Sequence, residues 1–252
     1  MLEQLLIFIV ALIANFFSAL SGGGAGLLQL PILLFLGLPF GIALATHKVA
    51  SVALGLGATA RYLKKSPLER QFALFILISG LPGVIVGAFV ILKIPDALAQ
   101  LALGFLTLSL SIYSFSKPHL GQNSNPKRRD FKGLLLGSFA LFFIGILNGS
   151  LTSGTGLFVT LWLIYWFGLD YQTAVAYTLI LVGIFWNGCG ALTLGLLSEI
   201  HWQWLPALIS ASLIGGYLGT HIGILKGNQW IKRSFEIVTF LVACKLIYQY
   251  FK

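Results

Sequence analysis

Long apolar runs separated by short polar breaks order this chain. They lie at roughly 2–20, 40–62, 71–92, 97–116, 133–150, 172–197, 203–225 and 229–251. Each approaches the ~20 residues with which an α-helix crosses ~30 Å of hydrocarbon. Two shorter apolar pieces, at about 27–37 and 157–168, follow the first and fifth runs. At roughly 11 residues, neither is long enough to cross alone. The pattern predicts an all-α, polytopic membrane protein with about eight transmembrane helices.

The polar stretch 117–132, which begins KPHLGQNSNPKRRD, divides the chain nearly in half. The halves resemble each other. SGGGAGLLQLPILLFLGLPFGIALAT (21–46) aligns with LTSGTGLFVTLWLIYWFGLDYQTAVAYT (151–178) when one or two insertions are allowed. GVIVG (83–87) matches GGYLG (215–219), and small residues four apart share one helix face and let two helices approach closely. This organisation predicts a first membrane repeat at 1–116, a linker at 117–132 and a second membrane repeat at 133–252.

The charges orient the repeats. In the first half the segment after the second run is basic (Arg61, Lys64, Lys65, Arg70), and the next is nearly neutral (Lys93, Asp96). The second half reverses this order, with Glu199 first and then Lys226, Lys232 and Arg233. Lys and Arg stay cytoplasmic, so the reversal predicts two inverted four-helix repeats. An inverted copy must cross an odd number of times, which four full passes do not. A broken or re-entrant first helix in each repeat resolves the parity. It places 61–70, 117–132 and 226–233 on one side, with the linker cytoplasmic.

The breaks themselves are Ser21, Gly22, Gly23, Gly24 and Gly26 in the first repeat, and Thr152, Ser153, Gly154, Thr155 and Gly156 in the second. Non-helical backbone survives at membrane depth only where protein or a water-filled cavity satisfies it. The helix that restarts after a break exposes N–H groups and a positive dipole end, which attract anions. Two such ends near the midplane would form a substrate site of the kind found in transporters with discontinuous helices.

Polar side chains at depth extend this candidate site. Thr46, His47 and Lys48 lie inside the second run, and a buried ammonium needs a cavity or partner. Lys48 supplies positive charge and His47 a further donor or a proton carrier. Asn148, Thr178 and Asn187 are the remaining candidate donors. Acids at depth are scarce: Glu236 alone lies within a run, next to Lys232 and Arg233, whereas a cation pathway generally uses a buried carboxylate. His119 and His201 read as interfacial and His221 as structural.

Composition changes the picture little. The 252 residues are 58% hydrophobic and 9% charged, with a mean hydropathy of +0.93; a soluble domain carries roughly 25% charged residues. The net charge of +9 falls between the apolar runs and reads as a topology signal rather than a nucleic-acid surface. Glu3 in the first run argues against a cleaved signal peptide. Cys189 and Cys244 read as small buried hydrophobes, not as a metal or disulfide set. No phosphate-binding glycine loop of the nucleotide type is present.

Together these features resemble the sulfite exporter TauE/SafE family. The resemblance spans nearly all of 5–250 and rests on SGGGAGLLQLP followed by GLPFGIALATHKVAS, with the second copy behind it. It carries family positions onto Gly22, Gly23, Gly24, Gly26, Pro31, Ala45 and Thr46, and onto Gly154, Gly156, Ala176 and Thr178. The chain departs from the family pattern where the second motif reads TSGTG, where Leu161 replaces the expected proline, and where His47 replaces a small hydroxyl residue ahead of Lys48. The resemblance implies transport of small sulfur-containing anions such as sulfite, sulfoacetate, sulfonates or thiosulfate.

The expectation is therefore a secondary transporter for a small anion in a bacterial inner membrane, with no cofactor, metal or nucleic-acid partner. An anion channel is the alternative, and an intramembrane enzyme ranks below it. Coupling to a proton or ion gradient and assembly as a homodimer stay open.

Overall fold

The structure, a computed structural model, describes residues 2–23, 25–62, 68–91, 96–152 and 154–250. Among them there is no strand. The helices are α1 (Leu2–Ser21), α2 (Gly26–Phe35), α3 (Phe40–Tyr62), α4 (Arg70–Val90), α5 (Asp96–Phe115), α6 (Phe131–Ser150), α7 (Thr155–Phe167), α8 (Tyr171–Leu197), α9 (Leu205–Lys226) and α10 (Asn228–Tyr250). Six described helices are long and apolar enough to cross a membrane: α1 from Glu3, α3, α4, α6, α8 and α9. The sequence expectation of an all-α membrane protein holds. Lys64, Lys65 and Lys93 lie outside the described residues.

Local signals set several boundaries. The Asp170 carboxylate accepts the Thr173 N–H at 2.9 Å and caps α8. Gly168, with φ +73°, ends α7 in the left-handed conformation that closes many helices. Pro206 stands in the first turn of α9, where a missing N–H costs nothing.

Both broken segments are hairpins. Trp166 Nε1 at the end of α7 donates to Gly133 O at the start of α6, 2.9 Å away, so α7 runs back beside α6. Asn15 Nδ2 on α1 lies 3.4 Å from Gln29 Oε1 on α2, so α2 likewise returns beside α1. The hairpins enter from opposite ends of the bundle. The α6–α7 hairpin opens beside the linker, where Asn125 N donates to Gly168 O at 2.7 Å. The α2–α3 connection lies at the other end, where Gly41 packs on Ser198.

Glycines set the close helix contacts, as the sequence spacing predicts. Gly83 and Gly87 on α4 lie against the Phe142 and Ile146 carbonyls of α6, and Gly145 and Gly149 on α6 lie against the Gly80 and Val84 carbonyls of α4. Gly215 and Gly219 on α9 lie in the same way against the Leu12 and Phe16 carbonyls of α1. Gly55 on α3 faces Gly183 on α8. α5 and α10 pack mainly on each other. The outer faces carry Leu196, Phe131, Leu192 and Ile78, between 71% and 88% exposed, which is the surface of a chain solvated by lipid.

Contacts gather the basic segments at one end. Arg129 of the linker pairs with Glu69. Asn228 Nδ2 donates to Gln122 O at 2.8 Å. Arg61 Nε donates to His221 Nδ1 at 2.8 Å, the structural role read for His221. Two readings need correction. Cys244 is exposed because it falls on the outer face of α10, and Cys189 is half-buried. His201 is not simply solvated: its ring packs on Trp204 and its Nδ1 is buried.

Candidate functional site

The two hairpin tips meet inside the bundle. α1 ends where Gly22 N and Gly23 N both donate to Ser18 O, at 2.9 and 2.8 Å. α6 ends in the same manner, with Leu151 N and Thr152 N both donating to Leu147 O, at 2.9 and 3.2 Å. The chain then turns through positive φ, +90° at Gly22 and +57° at Thr152. Glycine tolerates that geometry, whereas for threonine it is strained. Beyond the turns, Gly23 and Gly156 touch backbone to backbone: a Cβ on Gly23 would stand 2.8 Å from Gly156 Cα.

Beside this contact lies a cavity of about 40 Å³. Ser18, Gly23, Ala25 and Gly26 from the first hairpin wall it, as do Asn148, Thr152, Thr155 and Gly156 from the second. α3 contributes His47, Ser51 and Leu54, and α8 contributes Thr178, Leu179, Val182, Gly183 and Asn187. The stretch of α8 that faces the cavity, Thr178–Trp186, is π-helical. Such segments are rare and recur at functional sites, because the widened turn re-aims side chains and backbone.

Lys48 stands just behind this wall, fully buried. Its Nζ donates to Asn148 O at 2.9 Å, Asn148 Oδ1 at 3.2 Å and Asn187 Oδ1 at 3.4 Å. Gly190 makes room for it, since a Cβ there would lie 2.9 Å from Lys48 Cδ and Cε. An ammonium only donates, so both asparagines must turn their oxygens toward it and their NH₂ groups away. Asn148 Nδ2 accordingly donates to Thr155 Oγ1 at 2.9 Å, and Thr155 Oγ1 donates to Thr152 O at 3.0 Å. Among the described residues the ion pairs are Arg129–Glu69 and Lys232–Glu236, so no carboxylate neutralises Lys48 there. Its charge acts through the two asparagines on a cavity whose wall carries no acid.

A second row of hydrogen bonds reaches the cavity from α2. His47 Nδ1 lies 3.1 Å from Gln29 Oε1, and His47 Nε2 lies 3.1 Å from Ser51 Oγ. Thr160 Oγ1 donates to Gly22 O at 2.8 Å and lies 2.9 Å from Thr178 Oγ1, whose hydroxyl is left to donate to it, tying the first hairpin tip to α8.

The candidates from sequence divide clearly. Gly23, Gly26, His47, Asn148, Thr152, Thr155, Gly156, Thr178 and Asn187 line the cavity. Lys48 sits one side chain behind it. Ser21 Oγ donates to Phe17 O at 2.8 Å, and Gly22 and Gly154 shape the turns with φ +90° and +77°. Thr46 Oγ1 accepts the His201 N–H at 2.9 Å and braces the α8–α9 loop instead of lining the cavity. Gly24 and Ser153 lie outside the described residues. Sequence reasoning missed Ser18, Ser51 and Gln29. Ser51 follows His47 by one helical turn, and Gln29 is the polar residue in an otherwise apolar helix, so both left a readable signal.

The polar side chains that converge here are hydroxyls, amides and an imidazole, with a lysine behind them. Among the described residues, no group of three or more His, Cys, Asp or Glu side chains is placed to hold a metal ion. The family described as sulfite exporter TauE/SafE matches residues 7–246. A "probable membrane transporter protein" of Haemophilus influenzae is 29% identical over 244 residues, covering 96% of this chain and 94% of its own. The "probable membrane transporter protein YfcA" of Escherichia coli K12 is 24% identical over 243 residues, covering 96% and 88%. "Probable membrane transporter protein YunE" of Bacillus subtilis is 22% identical over 267 residues, covering 96% of each. No solved structure gives a significant match.

Proposed function

The chain belongs to the sulfite exporter TauE/SafE family, and from that premise we propose that it carries a small sulfur oxyanion across a bacterial inner membrane by alternating access at the cavity between the hairpin tips. It is an integral membrane transporter and not an enzyme. The observation that carries the anion reading is Lys48, whose charge is held by the asparagine oxygens against a wall without carboxylates. α2 and α7 begin at Gly26 and Thr155 on the cavity wall, so the positive ends of two helix dipoles lie beside it.

Cavity size bears on the cargo. About 40 Å³ is room for roughly one to three waters. That suits a compact ion such as sulfite better than a longer organosulfonate such as sulfoacetate. His47, in its row from Gln29 to Ser51, presents a polar ring to the cavity wall.

The exchange of contacts supports inverted repeats. α1 packs on α9 as α6 packs on α4, while α3 meets α8 and α5 meets α10. Mapping α1–α5 onto α6–α10 reproduces every one of these pairings. In this reading each hairpin returns to its own side, three helices in each half cross the membrane, and the linker faces the cytoplasm.

Counterflow in proteoliposomes tests the carrier against the alternative of an anion channel. Unlabelled sulfite inside should accelerate entry of labelled sulfite. Flux that depends only on the net gradient and voltage would mark a channel. A melting-temperature screen of sulfite, thiosulfate, sulfate, taurine and small carboxylates tests the cargo, since a ligand of the folded state raises the midpoint.

A further inference from the structure

We propose that the groove between α5 and α10 holds an anionic phospholipid, with the phosphodiester at its linker end and an acyl chain running inward. The linker end is a polar recess of about 380 Å³, within the range of ligand-sized pockets. His119 and Gln122 of the linker line it, with Lys232, Arg233 and Glu236 of α10. None of these residues lines the central cavity, so the proposal stands apart from the cargo reading.

The charges in the recess are not equivalent. Lys232 pairs with Glu236 and donates to Ser114 O at 2.8 Å, and Ser114 Oγ donates to Glu236 Oε1 at 2.9 Å. Those two groups largely cancel. Arg233 is exposed and makes no ion pair with the described residues, so it gives the recess its net positive charge. Basic pockets of this kind at a membrane boundary recruit acidic headgroups.

An apolar groove continues from the same place. Phe115 lines both the recess and a neighbouring space of about 500 Å³ walled by Ile112 and Phe240. Phe240 follows Arg233 by seven residues, roughly 10 Å further along α10. Ile112, Phe115 and Phe240 are 57%, 56% and 47% exposed. Lys226 lies over the exposed Trp230 ring at this end, an arrangement suited to the headgroup boundary. A phosphate at the mouth and hydrocarbon beyond it match an amphipathic lipid better than a soluble anion.

The test uses the purified full chain in a neutral detergent, reading melting temperature and, by native mass spectrometry, bound lipid. Phosphatidylglycerol should raise the melting temperature, whereas phosphatidylcholine, inorganic phosphate and glycerol phosphate should not. Arg233→Gln should weaken phosphatidylglycerol binding about fivefold, the loss expected for one cation at a membrane surface. Arg233→Lys should retain most of the binding. Phe240→Ser should weaken binding without changing the response to free phosphate. Equal stabilisation by phosphatidylcholine, or unchanged binding in Arg233→Gln, overturns the headgroup assignment. A response to free phosphate as large as that to phosphatidylglycerol, insensitive to Phe240→Ser, overturns the lipid in favour of a soluble anion.

Discussion

Gly23 and Gly156 face each other so closely that a methyl group on Gly23 would stand 2.8 Å from the Gly156 backbone. This contact joins the tips of two hairpins that enter the bundle from opposite ends, and the cavity opens beside it. The position of the site therefore depends on two residues that have no side chains.

Gly23→Ala tests that dependence. The substitution meets both backbone at 2.8 Å and a φ of +132°. Gly37→Ala, at φ +92° with nothing within 4 Å, isolates the conformational cost. Gly37→Ala should cost about 1–2 kcal/mol and leave transport intact. Gly23→Ala should cost about 3 kcal/mol or more and abolish transport. Thermal unfolding in detergent with parallel uptake assays measures both, and equal destabilisation by the two changes would argue against the tip contact.

Thr152 adopts a φ of +57°, and its hydroxyl is buried without a partner at the cavity wall. Strain and unmet polarity of this kind are retained for function. Thr152→Gly should raise stability by about 1 kcal/mol while lowering sulfite uptake. A variant that gains stability and transports normally would remove the hydroxyl from the site.

Lys48→Met keeps an unbranched side chain one atom shorter and removes its charge. It leaves Asn148 O and Asn148 Oδ1 without their donor, while Asn187 Oδ1 keeps Asn148 Nδ2 at 3.4 Å, a loss of about 1–3 kcal/mol for each unpaired buried group. Uptake should fall at least tenfold in proteoliposomes, with expression retained. Wild-type flux in this variant would exclude the ammonium from the mechanism.

Asn187→Asp tests the sign of the cargo. A carboxylate beside Lys48 can pair with it and should preserve folding, but it places negative charge on the cavity wall. Anion uptake should be lost while the melting temperature is kept. Retained sulfite transport, or new cation transport, would contradict an anion site.

Topology has a direct readout. Asn123 lies in the linker and Glu199 beyond α8, both exposed. With Cys189 and Cys244 replaced by serine, Asn123→Cys should react only with reagent that reaches the cytoplasm. Glu199→Cys should react from outside in intact cells. Labelling of both from one side would defeat the inverted arrangement.

The sequence by itself determined the helical membrane class, the position of nearly every helix and the two breaks. Each is a local property: apolar runs as long as a bilayer is thick, and glycine or hydroxyl residues where a helix cannot continue. Gly83, Gly87, Gly215 and Gly219 also signalled close packing, because four-residue spacing is itself a helix face. Tertiary structure alone decided which polar residues share a cavity. Thr46 and Thr178 occupy matching positions in the two halves, yet Thr46 turns to the His201 N–H while Thr178 lines the wall. Lys48, Asn148 and Asn187 are separated by as many as 139 residues and meet through hydrogen bonds. No pattern along the chain encodes such a meeting: it arises from the packing of three helices, and what the cavity presents depends on how the buried ammonium orients the amides around it.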